Sequence, residues 1–123
     1  MLQPTVPAWF EIPTRDLDRA VRFYESVLQT RLTRESMGGL ELAVFPHEKP
    51  APTGALAQGD GFTPNASGTV VYLHLDDIRP ALERVPAAGG AVRLPRTALP
   101  DGMGFFARVA DPEGNVVGLF SAA

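Results

Sequence analysis

The 123-residue sequence predicts an α+β chain that uses one plan twice: a strand, a helix, then further strands. Three observations carry this. Short stretches of alternating side chains stand directly before stretches with apolar residues at helical spacing. That strand-to-helix pattern recurs, with Asp77, Ile78, Ala81 and Leu82 standing to one another as Asp16, Leu17, Ala20 and Val21 do. Twelve glycines and twelve prolines punctuate the apolar runs instead of diluting them, as expected of many short elements joined by turns.

In the first half, Phe10 and Ile12 alternate with Trp9, Glu11 and Pro13, which predicts a strand. Asp16 is placed to cap a helix, since its carboxylate can accept the free N–H groups of the first turn. The helix stripe is Leu17, Ala20, Val21, Tyr24, Val27 and Leu28; Arg15, Asp18, Arg19, Arg22 and Glu25 lie off it and are expected in solvent. GGLELAVFP and GALAQG follow as strands, and the turn-forming run Gln58 to Gly68 reads as a linker.

In the second half, VVYLHLDD places Val71, Leu73 and Leu75 on one face and Val70, Tyr72 and His74 on the other. Asp77 caps a helix with the stripe Ile78, Ala81, Leu82, Val85 and Ala88. Pro80 is tolerated in its first turn, whereas Pro86 ends or kinks it near Val85. AVRLP, GFFARV and NVVGLF are the remaining strands, the last two joined as a hairpin by Asp111-Pro112-Glu113-Gly114-Asn115. Module one thus covers about 8–58 and module two about 69–121 of a single domain, 1–123.

Composition removes whole classes of function. With no cysteine, disulfides, thiolate metal sites and cysteine nucleophiles are excluded. A net charge of −3 gives no basic footprint for nucleic acid. No apolar run approaches the ~18 residues of a membrane span, and the first residues lack the build of a signal peptide, so a cytoplasmic protein is expected. The 45% hydrophobic content suffices for a core.

The repeated plan, with D-L-D-R-A-V-R-F-Y-E after the first strand and D-P-E-G-N before the last, resembles the vicinal-oxygen-chelate superfamily over roughly Ala8 to Ser121. That superfamily includes glyoxalase I, extradiol dioxygenases, and the bleomycin and fosfomycin resistance proteins. The resemblance implies tandem βαβββ modules whose strands curl into a mixed sheet, a partial barrel, with the helices packed outside. It also implies a homodimer, cavities completed by paired modules within or between chains, and, in the enzymatic members, a divalent metal. At the positions matching the family's metal ligands this sequence has Trp9, Val70 and Gly118, and the fourth falls near Gly54-Ala55-Leu56. None offers a donor, and a divalent ion needs three or four converging N or O atoms. No metal cofactor is therefore expected.

Strand parity puts Trp9, Glu11, Val70, Tyr72, His74, Val116, Gly118 and Phe120 on the cavity side, with Phe106 and Arg108 beside them. Glu11 and His74 are candidate catalytic groups, as an acid/base pair or, with Glu41, as a displaced metal site. They equally suit hydrogen bonding within a partly wet sheet. Trp9, Tyr72, Phe106 and Phe120 are candidate ligand-binding residues. Arg108 can anchor a ligand anion or neutralise Glu11 or Glu41. His47 reads as an exposed loop residue, and Ala98 to Gly104 as a loop over the cavity mouth. The leading functional reading is a metal-independent binder of a small, partly aromatic or apolar organic molecule. A lyase, isomerase or dioxygenase-type enzyme is the second, and an interaction module with a filled cavity the third. Neither nucleic acid nor membrane is an expected partner.

Overall fold

The computed structural model describes residues 1–4 and 7–123. β1 (Trp9–Pro13), α1 (Leu17–Leu28), β2 (Thr33–Met37), β3 (Leu40–Val44) and β4 (Thr53–Gln58) form the first half. β5 (Tyr72–His74), α2 (Ile78–Arg84), β6 (Ala91–Ala98), β7 (Phe105–Ala110) and β8 (Val116–Ser121) form the second, with a 3-10 turn at Pro100–Gly102. Each half builds a four-stranded sheet, in the orders β1-β4-β3-β2 and β5-β8-β7-β6. β1 runs parallel to β4 and β5 parallel to β8, while the other pairings are antiparallel. Two βαβββ units with curled mixed sheets and no closed barrel are the α+β fold that the sequence predicts. Among the described residues, no helix is long and apolar enough to cross a membrane.

The capping signals act as read. Asp16 accepts from the Arg19 N–H and Asp77 from that of Arg79, and Gln29 ends α1 in the left-handed conformation. Asp77 is held down to about 2 by the hydrogen bonds from the Arg79 side chain and backbone. Both helix stripes pack with Ile12, Ala43, Phe45, Leu56, Val109, Val117 and Leu119 in one core that spans both halves, with Leu28, Leu82 and Ala88 half-buried at its margin. Phe23 is buried too, although it lies off the predicted stripe. α1 packs against the second half as well as its own sheet, and the Phe23 ring closes on Gly90, so a wider arc of the helix is covered.

Two strands depart from the sequence reading. β2 carries no alternation because every residue in it is exposed, at the edge of its sheet. β6 continues through Pro95 to Ala98, and its pairing with β7 slips between Leu94 and Thr97. Proline is tolerated at such an irregular edge, where no ladder donor is required.

The Asp111–Asn115 turn is more than a hairpin connection. Asp111, Glu113 and Asn115 are all buried. Asp111 Oδ1 accepts from the backbone N–H groups of Glu113 (2.9 Å) and Asn115 (3.0 Å), and its Oδ2 from Tyr24 Oη (2.7 Å) and Asn115 Nδ2 (3.0 Å). Asn115 Nδ2 also donates to the Pro13 carbonyl, and Asn115 Oδ1 accepts from the Asn65 N–H. Glu113 accepts from the backbone N–H groups of Arg15 and Asp16 and from the Arg19 guanidinium. Module two therefore supplies the polar anchor for the start of α1 in module one.

This anchor sets a pH window. Burial alone would raise the Glu113 carboxyl, but Arg19 and the two backbone donors outweigh it and hold the group below its ordinary 4.5. Burial, then the Asp111 charge, push the Tyr24 phenol well above its ordinary 10.0. A depressed acid contributes stability that is present above its unfolded value and lost as pH falls through the folded one. A raised phenol contributes stability that is complete below its unfolded value and declines above it. Denaturant midpoints measured across pH should form a plateau that falls off on the acid side below about 4.5 and on the alkaline side above about 10. In Glu113→Gln the acid limb should flatten.

Candidate functional site

The pairing registers of the second sheet place its open-face residues in two rows. Tyr72, Gly118, Arg108 and Leu94 stand side by side in one, and His74, Phe120, Phe106 and Thr97 in the next. On the opposite face Val117, Leu119, Val109 and Ala107 enter the core, which fixes the register, because a one-residue slip would exchange the faces.

Gly118 controls the first row. A Cβ built there would lie 2.6 Å from Tyr72 Cγ and closer still to Cδ1 and Cε1. The Tyr72 ring lies flat over the bare glycine, and its hydroxyl reaches across β8 to accept a 2.8 Å hydrogen bond from Arg108 Nε. The guanidinium carbon stands 5.6 Å from the Phe106 ring centroid and 6.0 Å from that of Tyr72, within cation–π range. Tyr72 and Phe106 are tilted rings 6.1 Å apart, and His74 and Phe120 make a similar pair at 5.2 Å. The result is an aromatic platform with one cation set into it.

The open face of the first sheet carries Trp9 and Glu11, and Trp9 Nε1 donates to Glu11 Oε2 at 3.3 Å. Trp9 and Tyr72, about 41% and 40% exposed, face a common groove of about 690 Å³ completed by Pro7, Pro52, Thr53 and Val70. The five sequence candidates Tyr72, His74, Phe106, Arg108 and Phe120 thus come together on one sheet, and Trp9 faces one of them, Tyr72, across this groove. Glu11 and His74 do not meet. Glu11 borders a groove of about 370 Å³ with Val116 and Asn115, whereas His74 borders another of about 490 Å³ with Leu28, Pro46 and Pro52. These grooves are open, and the chain alone does not enclose the cavity expected from the sequence.

Glu41 corrects the sequence reading. It shares its side with Ala43 and Phe45 as the parity predicts, but that side faces the helices. Its carboxylate accepts from Ser36 Oγ at 2.6 Å, near Arg15 and Gln58 at the start of α1. It cannot join Glu11. Arg108 pairs with neither carboxylate, and its partner is the Tyr72 hydroxyl. His47 lies in an exposed loop, its Nδ1 2.8 Å from the Ala51 carbonyl oxygen.

Trp9, Val70 and Gly118 bring no donor atom to the family's ligand positions, and the Tyr72 ring fills the space over Gly118. Among the described residues, no three His, Asp or Glu side chains converge on a point. Sequence reasoning identified Gly118 as inward-facing but missed Tyr72 as the group covering it. The signal, an aromatic on β5 in register with a glycine on β8, becomes legible only once the two strands are paired.

The fold has several solved likenesses. TnmS3, an antibiotic binding protein from Streptomyces sp. CB03234, is 22% identical with a TM-score of 0.73, each chain covered in full. A glyoxalase/bleomycin resistance protein from the same organism is 24% identical, covering 92% of this chain and 97% of that one, with a TM-score of 0.71. Glyoxalase I from Zea mays is 23% identical with a TM-score of 0.69; the match takes in 94% of this chain but 45% of the maize chain, so the present chain spans about half its length. No functionally curated protein matches in sequence. The sequence model of the Glyoxalase/Bleomycin resistance protein/Dioxygenase superfamily matches residues 7–119, nearly the whole chain, and the protein belongs to that family.

Proposed function

We propose that the chain binds a small, partly aromatic organic molecule on the open face of its second sheet, without a divalent metal, as a cytoplasmic homodimer. The observation that carries this reading is the platform of Tyr72, Phe106, Phe120 and His74 around Arg108, made possible by the bare Gly118. A flat ligand gains apolar burial and ring stacking there, and one charged group orients it. Two features support dimerisation: Trp9, Met37 and Tyr72 are large apolar side chains left exposed on the open faces, and the grooves lack a second wall. The likeness to an antibiotic binding protein agrees with sequestration of a small molecule. Glu11, held by Trp9, and His74, its ring tilted against Phe120, serve as orienting groups at the rims.

Trp9 is the single tryptophan and borders the shared groove, so its fluorescence reports occupancy directly. Protein dialysed against a chelator should show saturable quenching by polycyclic aromatic compounds at micromolar concentrations. Tyr72→Ala should weaken the binding at least about tenfold, a loss of about 1.4 kcal/mol. Quenching that appeared only after a divalent ion was restored would overturn the reading.

A further inference from the structure

We infer that the ligand is an anion: an aromatic molecule carrying a carboxylate or an equivalent planar acidic group, seated on Arg108. This rests on the binding reading above and names the chemistry it requires. Among the described residues, the ion pairs are Arg19 with Glu113, Arg34 with Asp18 and Arg79 with Asp77. Arg108 has no carboxylate partner. The two acids the sequence offered it are committed elsewhere, Glu11 to Trp9 and Glu41 to Ser36 on the opposite face.

What Arg108 has instead is orientation. Tyr72 Oη takes its Nε–H, and the guanidinium stands within cation–π range of Phe106 and Tyr72. A guanidinium fixed through Nε keeps both Nη groups for a second partner, and a planar fork matches a carboxylate with two parallel hydrogen bonds. A ligand ring laid over the platform excludes water from that pairing and so strengthens it. Arg108 stands between the uncharged Gly118 and Leu94 in its row, and no acidic side chain lines either groove bordered by its partner Tyr72. The aromatic body of the same molecule stacks on the rings of the adjoining row.

The test compares anthraquinone-2-carboxylate with anthraquinone-2-carboxamide by isothermal titration calorimetry on the chelator-treated full chain. The two share shape and rings and differ in charge. Wild type should bind the carboxylate at least about tenfold more tightly, with the preference narrowing as salt is raised. Arg108→Gln should weaken carboxylate binding far more than carboxamide binding, so that the preference disappears, and circular dichroism should confirm an intact fold. Arg108→Lys keeps the charge without the fork and should restore part of the preference. Equal affinities in wild type, or an Arg108→Gln loss of equal size for both compounds that leaves the preference intact, would overturn the anion subsite and leave the aromatic platform standing. If neither compound bound, the anion subsite and the binding reading would both be overturned.

Discussion

Asp111→Ala should cost about 3–5 kcal/mol of folding stability, a large fraction of the ~5–15 kcal/mol available to a domain. The reason is the number of donors it would orphan. Four hydrogen bonds converge on this one buried carboxylate, from Tyr24 Oη, Asn115 Nδ2 and the backbone N–H groups of Glu113 and Asn115. Each buried donor left without a partner costs ~1–3 kcal/mol, partly recovered where water can enter. The damage would also spread, because Glu113 and Asn115 hold the Arg15–Asp16 backbone and the Pro13 carbonyl. Asp111→Asn keeps two acceptor sites and should cost less than half as much. Urea titration of the three proteins checks this; a midpoint for Asp111→Ala close to wild type would show that the turn is only a turn.

Gly118→Ala should break the platform with the smallest possible change. Its added methyl occupies the space of the Tyr72 ring, so the ring must swing outward and leave Arg108 without its Nε partner. Overpacking of this kind costs ~1–3 kcal/mol. The backbone itself has no objection, since Gly118 is not among the positive-φ glycines. In a Tyr72→Ala background the same Gly118→Ala change should therefore be neutral or stabilising by ~0.5–1 kcal/mol, the usual gain from replacing glycine inside a regular element. The double-mutant cycle isolates the contact. Additive effects would mean that Tyr72 does not depend on the vacancy beside it.

What the sequence made legible follows the range of the interactions. Capping at Asp16 and Asp77, the helix stripes and the face of each strand are local, and the residues announce them. β2 was invisible because a strand exposed on both faces has no period to read. Phe23 was missed because its burial depends on the far half of the chain. Glu41 was read in the right register but on the wrong side: its neighbours Ala43 and Phe45 are core residues, and their apolar character marked the helix face. Asp111-Pro112-Glu113-Gly114-Asn115 read as a hairpin turn, since nothing local says that Tyr24 and Arg19 will be its partners. At the candidate site, parity placed Tyr72, His74 and Phe120 on one face, with Phe106 beside them, as the structure has them. The pairing of Tyr72 with Gly118 and Arg108 required three strands in register, which composition and period do not supply.

The seat of the ligand can be observed directly. In chelator-treated, isotope-labelled protein saturated with anthraquinone-2-carboxylate, intermolecular nuclear Overhauser effects should connect the ligand ring protons to Tyr72, Phe106 and Phe120, on the face that Gly118 leaves open. Contacts confined to the groove beside Pro13 and Asn115, or appearing only when a divalent ion is added, would contradict a metal-free aromatic platform built around Arg108.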